Sequence, residues 1–246
     1  EQIRNCLLIH QQPQAIPARQ GVLDGRRVWR APLLGDDRIF LRSDPEPQPG
    51  FSVDLLLDGS ASRLHCQEII AAQGFLLSKS LAACGIPVRV SSFCSLRGYT
   101  VLRILKDFPD RNAERKIFDY FAAGWNRDGL ALRGMAPLLR DAPAEKRLLL
   151  LLTDASPNDS HKIPPSDRVP LSRDYDGPAA VQDTAAQVRT LRQRGVRVAA
   201  IFMGESASFP DARTIYGRDL VRIRRMDELA GAAGKLIQQE IAELSD

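Results

Sequence analysis

The stretch Phe51-Ser52-Val53-Asp54-Leu55-Leu56-Leu57-Asp58-Gly59-Ser60-Ala61-Ser62 limits what this chain can fold into more than any other, because an apolar run stops at one carboxylate and two hydroxyls. A run that is apolar on both faces suits the interior of a parallel sheet covered by helices on each side. Open α/β sheets bind ligands beyond the carboxyl ends of their strands, so Asp58, Ser60 and Ser62 stand where a site would form. Their oxygens are hard donors, suited to Mg²⁺ or Mn²⁺ rather than to a soft metal. The local alternative is that Asp-Gly-Ser is turn chemistry and that Ser or Asp caps the next helix. A second run weighs against it: Arg147-Leu148-Leu149-Leu150-Leu151-Leu152-Thr153 also ends in a carboxylate, Asp154. As neighbours in one parallel sheet, about 5 Å apart, the two strands would bring Asp58, Ser60, Ser62 and Asp154 to one point.

The remaining pattern alternates strand and helix. Helical spacing over 68–83 ends at Gly85 and Pro87, strands follow at 88–93 and 99–105, and 113–123 reads as helix. The polar loop Gly124-Trp125-Asn126-Arg127-Asp128-Gly129 precedes a helix over 130–139. After Asp154 a long polar loop spans 160–177, followed by a helix at 179–194, a buried strand at 196–203, a short helix at 209–216, an edge strand at 220–223 and a closing helix at 226–244. This order predicts an α/β fold: a doubly wound, mostly parallel six-stranded sheet with helices on both faces. Residues 1–50, rich in Gln and Pro, read as an extension and linker with a short helix at 23–31 and a strand at 38–42, and 51–246 as the domain. Trp29 is expected to anchor the extension and Trp125 to pack beside the loop; Asp54, within a buried strand, needs an Arg partner or a solvated strand start.

Several function classes are excluded or disfavoured. No apolar stretch reaches the roughly 20 residues of a membrane helix, and Cys6-Leu7-Leu8-Ile9 is too short for a signal-peptide core. Cys6, Cys66, Cys84 and Cys94 lack Cys-x-x-Cys spacing, which points to free thiols in a reducing cytoplasm and not to zinc. The net charge of +4 comes from scattered Arg without a nucleic-acid motif. Neither a Gly-x-Gly-x-x-Gly nor a Gly-Lys-Ser/Thr loop is present. His10, His65 and His161 have no sequence partner suggesting a nucleophile and base.

Asp58-Gly59-Ser60-Ala61-Ser62 and Asp154 resemble the metal-ion-dependent adhesion site of von Willebrand factor A (VWA) domains, which combines Asp-x-Ser-x-Ser, a Thr from a following loop, and an Asp after the fourth strand. Asn126-Arg127-Asp128-Gly129-Leu130-Ala131-Leu132 stands where the family has its Thr loop, and either Asn126 or Asp128 takes the Thr position. Together with Leu152-Thr153-Asp154-Ala155-Ser156-Pro157-Asn158-Asp159, this loop is similar to a narrower group, the VWA subunits of aerobic cobaltochelatase and the nitric oxide reductase activation proteins. Ala61 and Ala155 replace glycines usual in the family, which reduces backbone freedom at both turns.

The resemblance implies a site built from Asp58, Ser60, Ser62, Asn126, Asp128 and Asp154 that holds Mg²⁺ or Mn²⁺, with Ser60 and Ser62 as direct ligands and one position open to an acidic side chain of a partner protein. It also implies a non-enzymatic cytoplasmic adaptor that works with an AAA+ ATPase of the MoxR or chelatase type, or with its client, to activate a metalloenzyme or assist metal insertion, without membrane or nucleic-acid contact. Two alternatives stay open: a Mg²⁺-dependent phosphate-ester hydrolase using Asp58, and a VWA scaffold with a decayed site.

Overall fold

The computed structural model describes residues 15–43, 50–110, 113–167, 169–225 and 228–243. Its centre is a six-stranded sheet formed by β4 (Phe51–Asp58), β5 (Val88–Leu96), β6 (Tyr99–Lys106), β7 (Lys146–Thr153), β10 (Val196–Phe202) and β11 (Leu220–Arg222). Their order is β11-β10-β7-β4-β5-β6, and all pairs are parallel except β5 with β6. The two Leu-rich runs, β4 and β7, are adjacent at the middle, with Leu57 opposite Leu152. Both strands therefore end side by side, as the sequence pattern predicts.

Period-2 alternation along the strands splits the core into two layers. Val53, Leu55, Leu57, Leu148, Leu150 and Leu152 face one layer, where they meet Ile70, Leu77 and Leu81 of α2 (Gln67–Ala83) and Leu236 and Ile237 of α6 (Leu229–Glu243). Leu56, Leu149, Leu151 and Val198 face the other, against α3 (Asp128–Arg140), α4 (Gly177–Gln193) and α5 (Phe209–Tyr216). Asp54 shares the second face and is fully buried. Arg89, its register partner on β5, donates Nε to Asp54 Oδ1 at 2.6 Å and stacks 4.6 Å from the Phe108 ring centroid. The need for an Arg partner is met inside the sheet.

Ahead of the sheet, β1 (Ala15–Ala18), β2 (Val22–Leu23) and β3 (Phe40–Ser43) form a small antiparallel sheet in the order β1-β3-β2, with the short helix α1 (Arg30–Leu34) between β2 and β3. The helix expected over 23–31 is thus displaced. Asp24 closes a turn, accepting the Arg26 N–H on its side chain and the Arg27 N–H on its carbonyl, and Gly25 adds no helix preference. Trp29 does not anchor this segment: it is half exposed, and its indole N–H goes to Arg26 O. Residues 1–14 and 44–49, with Cys6, His10 and most of the expected linkers, lie outside the described residues.

Two further expectations fail for local reasons. Helix over 113–123 shrinks to a 3-10 turn at Glu114–Asp119, because the donors that follow bond elsewhere: Ala122 N to Gln67 Oε1 and Ala123 N to Gly59 O. The loop expected at 160–177 contains a hairpin, β8 (Asp159–Ile163) paired antiparallel with β9 (Arg173–Tyr175). Cys66, Cys84 and Cys94 are free thiols. No helix among the described residues is long and apolar enough to cross a membrane.

Candidate metal centre

β4 delivers Asp58 to its last position, and the chain then turns through a tight corner. Gly59 is needed there: a Cβ would lie 2.9 Å from Phe93 O and 3.3 Å from Phe121 O, both backbone atoms. Gly59 N bonds Phe93 O and Gly59 O accepts Ala123 N–H, so the corner is tied to β5 and to the 121–125 segment. Tyr120 adds a third tie, donating its hydroxyl to Asp58 O at 2.6 Å. A 3-10 turn at Ala61–Cys66 then carries Ser62 and Arg63 over the strand ends.

The side chains form a connected chain. Asp58 Oδ1 accepts the Ser60 N–H at 2.9 Å, Ser60 Oγ lies 2.9 Å from Ser62 Oγ, and Ser62 Oγ donates to Asp154 Oδ2 at 2.8 Å. Asp154 Oδ1 accepts the Ser156 N–H at 3.2 Å. All four residues of the two strand-end motifs thus meet, as the strand order dictates. Asn126 is tied by paired backbone bonds, 3.1 Å each, to Asn158 in the segment that follows Asp154, and Asp128 opens α3 within reach of the Asp58 and Asp154 charges. Asn126 is buried with Nδ2 unpartnered; Asp128 is fully buried with neither carboxylate oxygen partnered. The helix starts two residues earlier than its apolar periodicity suggests, which places Asp128 in the first turn.

Burial and mutual repulsion dominate the electrostatics. Asp58 is pushed up to about 7, first by desolvation and then by the Asp154 charge. Asp128 is raised well above the ordinary carboxylate value by burial, Asp58 and Asp154 in turn. Among the described residues, a guanidinium answers Asp154 and Asp58. The buried Arg63 donates Nη2 to Asp154 Oδ2 at 2.7 Å and Nη1 to Met203 O at 3.2 Å. Sequence reasoning missed Arg63, although its place directly after Ser62 was visible; a cation beside a proposed cation site ran against the pattern sought. Asp154 and Ser62 open into a cleft of about 470 Å³ also lined by His65, Met203 and Glu205. Trp125 is half exposed in the adjacent loop, not packed away as expected.

The donor set fits a hard divalent cation. Three carboxylates face one guanidinium, leaving an excess of two negative charges when all are ionised. Asp58 Oδ2 and both oxygens of Asp128 are buried without partners, a penalty that an oxygen-seeking ion would remove. Among the described residues no three His, Cys, Asp or Glu side chains form a ligand set by themselves. The hydroxyls of Ser60 and Ser62 would therefore have to contribute.

Of Ala61 and Ala155, only Ala155 is held in the left-handed region, at φ 49°. That conformation costs a non-glycine residue about 1–2 kcal/mol. Ala155→Gly is accordingly expected to raise the unfolding free energy by roughly 1 kcal/mol, after the opposing gain in unfolded-chain entropy. Urea denaturation checks this; an unchanged or lower midpoint would contradict it.

No family model matches the chain. Protein NorD of Brucella abortus is 29% identical over 184 residues, covering 71% of this chain and 27% of NorD. The chain thus spans about a quarter of the length of the curated relatives it matches. Among solved structures, the manganese-loaded TRAP protein of Plasmodium vivax superposes with a TM-score of 0.55 at 20% identity, covering 77% of this chain and 74% of that one. The vWF domain of the pili tip protein Mfa5 from Porphyromonas gingivalis gives a TM-score of 0.54 at 14% identity, covering 80% and 96%. The fold is therefore that of VWA domains: a mixed α/β architecture with a mostly parallel six-stranded sheet.

Proposed function

We propose that this chain is a cation-dependent protein-binding module, a non-enzymatic VWA adaptor in which Asp58, Ser60, Ser62, Asp154 and the Asn126–Asp128 loop hold Mg²⁺ or Mn²⁺. The observation that carries the reading is the hydrogen-bonded chain from Asp58 through Ser60 and Ser62 to Asp154 at the ends of adjacent strands, with Asp58 Oδ2 and both Asp128 oxygens buried without partners. The manganese-loaded state of a protein with the same fold agrees with it. Ser60 and Ser62 supply neutral oxygens, while Asp58 and Asp154 orient them by the hydrogen bonds described. When bound, the ion supplies an electrophilic centre for an oxygen anion. The cleft beside Ser62 and Asp154 gives access for an acidic side chain of a partner.

The likeness to NorD supports an adaptor that works with an AAA+ ATPase of the MoxR or chelatase type on a metalloenzyme client, in a reducing cytoplasm consistent with three free thiols. A hydrolase with Asp58 as nucleophile fits less well, because Asp58 is fully buried and the residue two positions on is Ser60 rather than a second carboxylate. A decayed site fits less well too, since it leaves Asp58 Oδ2 and both Asp128 oxygens buried without partners. The test is co-purification with a purified AAA+ ATPase of the MoxR type. Wild type with Mg²⁺ is expected to retain the ATPase at least about tenfold better than Ser60→Ala, or than wild type in EDTA. Equal retention in all three would reject the cation-dependent reading.

A further inference from the structure

The hairpin β8–β9, inserted between Asp154 and α4, is fastened to the site loop at its base. Asp159 and Tyr175 are register partners there, and both are buried. Arg127 lies against both, its guanidinium 4.5 Å from the Tyr175 ring centroid and Nη1 3.5 Å from Asp159 Oδ2. The Tyr175 hydroxyl accepts the Gly129 N–H at 3.2 Å and donates to Asp183 Oδ2 at 3.1 Å. Gly129 N–H belongs to the first turn of α3, where no capping side chain is present, so Tyr175 supplies an acceptor that the helix itself lacks. The fit is close: a Cβ on Gly129 would run into the Asp183 carboxylate, so that side chain would have to shift. Asn126 is held by Asn158, and Arg127 N–H goes to Ser95 Oγ at 3.3 Å.

Residues 126, 127 and 129 are thus each fixed from outside the loop, whereas the Asp128 side chain between them makes no hydrogen bond. Its carboxylate is aimed entirely by its neighbours. We propose that the base of the β8–β9 hairpin is the device that sets Asp128 for a divalent cation, with Tyr175 and Arg127 as positioning residues. This inference rests on the cation-binding reading above and adds residues outside the six of the proposed site. Losing an outer partner of a metal-site ligand typically weakens metal affinity about 10–100-fold.

The test is Mn²⁺ titration of the whole 246-residue chain, with free Mn²⁺ counted by electron paramagnetic resonance and folding checked by circular dichroism. Tyr175→Phe is expected to stay folded and weaken Mn²⁺ binding about tenfold, and Arg127→Gln, which keeps the Tyr175 hydroxyl, is expected to weaken it in the same direction. A purely structural role would lower thermal stability and leave the Kd of the folded protein alone. In an Asp128→Asn background Tyr175→Phe should add less than about twofold, because the residue it positions is already lost. A Tyr175→Phe Kd within twofold of wild type overturns the inference, as does a further tenfold loss in the double variant. Should Tyr175→Phe not fold, Arg127→Gln decides by the same limits. Ser60→Ala separates the two readings: if it abolishes binding while Tyr175→Phe is silent, only the clamp falls, and if wild type itself does not saturate, both fall.

Discussion

Arg89→Met is expected to lower the unfolding free energy by about 3–5 kcal/mol at neutral pH, the usual cost of leaving one member of a buried ion pair alone. Asp54 and Arg89 are opposed on the central strands β4 and β5, and their side chains are 1% and 3% exposed. Asp54 Oδ2 has no partner even in wild type, and the second carboxylate near Arg89, Asp107, is more solvated and 3.7 Å away. Removing the guanidinium therefore leaves a buried carboxyl that must either stay charged without a cation or take up a proton. At roughly 2–4 °C per kcal/mol for a domain of this size, the melting temperature should fall by about 10 °C. The double variant Asp54→Leu/Arg89→Met exchanges the pair for apolar side chains and is expected to recover most of the loss, since such exchanges are often neutral or stabilising. A double variant as weak as Arg89→Met would contradict this account of the pair.

The same pair gives a pH signature. Burial outweighs the attraction of Arg89 and holds the Asp54 carboxyl at about 6, above the ordinary 3.8. An acid raised in the folded state binds its proton more tightly there, so its share of stability is full below about 3.8 and is lost as pH rises through about 6. Without Arg89 the carboxyl climbs further. The gap in stability between Arg89→Met and wild type should thus be widest well above pH 6, shrink as pH falls towards 6, and stay level from there to pH 4, where Asp54 is neutral in both folded proteins. Thermal melts across that range follow it directly.

What the sequence disclosed depended on whether a residue's partners were near it in the pattern. The Leu-rich runs of β4 and β7 read as interior strands with matching ends, so the meeting of Asp58, Ser60, Ser62 and Asp154 was legible on the condition that the two are neighbours, and their register supplies it. The Asn126–Asp128 loop was legible through the resemblance as a candidate part of the site, but its surroundings were not, because they depend on where α3 begins and on partners such as Tyr175, 46 residues from Gly129. Residues 113–123 misled for a related reason: helical spacing was present, yet the Gly59 corner and Gln67 took the backbone donors that a helix would have used. The β8–β9 hairpin was hidden by a strand composition too polar and too short to show alternation. Arg63 was hidden by its sign, since a guanidinium inside a carboxylate cluster is found only by tracing Asp154 across 91 residues.

Isothermal titration of Mn²⁺ into chelator-stripped protein tests the central claim most directly, beside Ser60→Ala and Asp154→Ala shown to be folded. Ser60 links the Asp58 turn to Ser62, and Asp154 terminates the chain that begins there, so each variant breaks the donor set at one end. Asp154→Ala also leaves the buried Arg63 without its carboxylate partner, and a positive charge then faces the incoming ion. Wild type is expected to bind one Mn²⁺ saturably and to gain about 2.7 kcal/mol of stability at a hundredfold excess over Kd. Both variants are expected to lose at least about 10–100-fold in affinity and with it that stabilisation. A wild type that does not saturate, or a Ser60→Ala variant that binds Mn²⁺ as wild type does, would contradict the account.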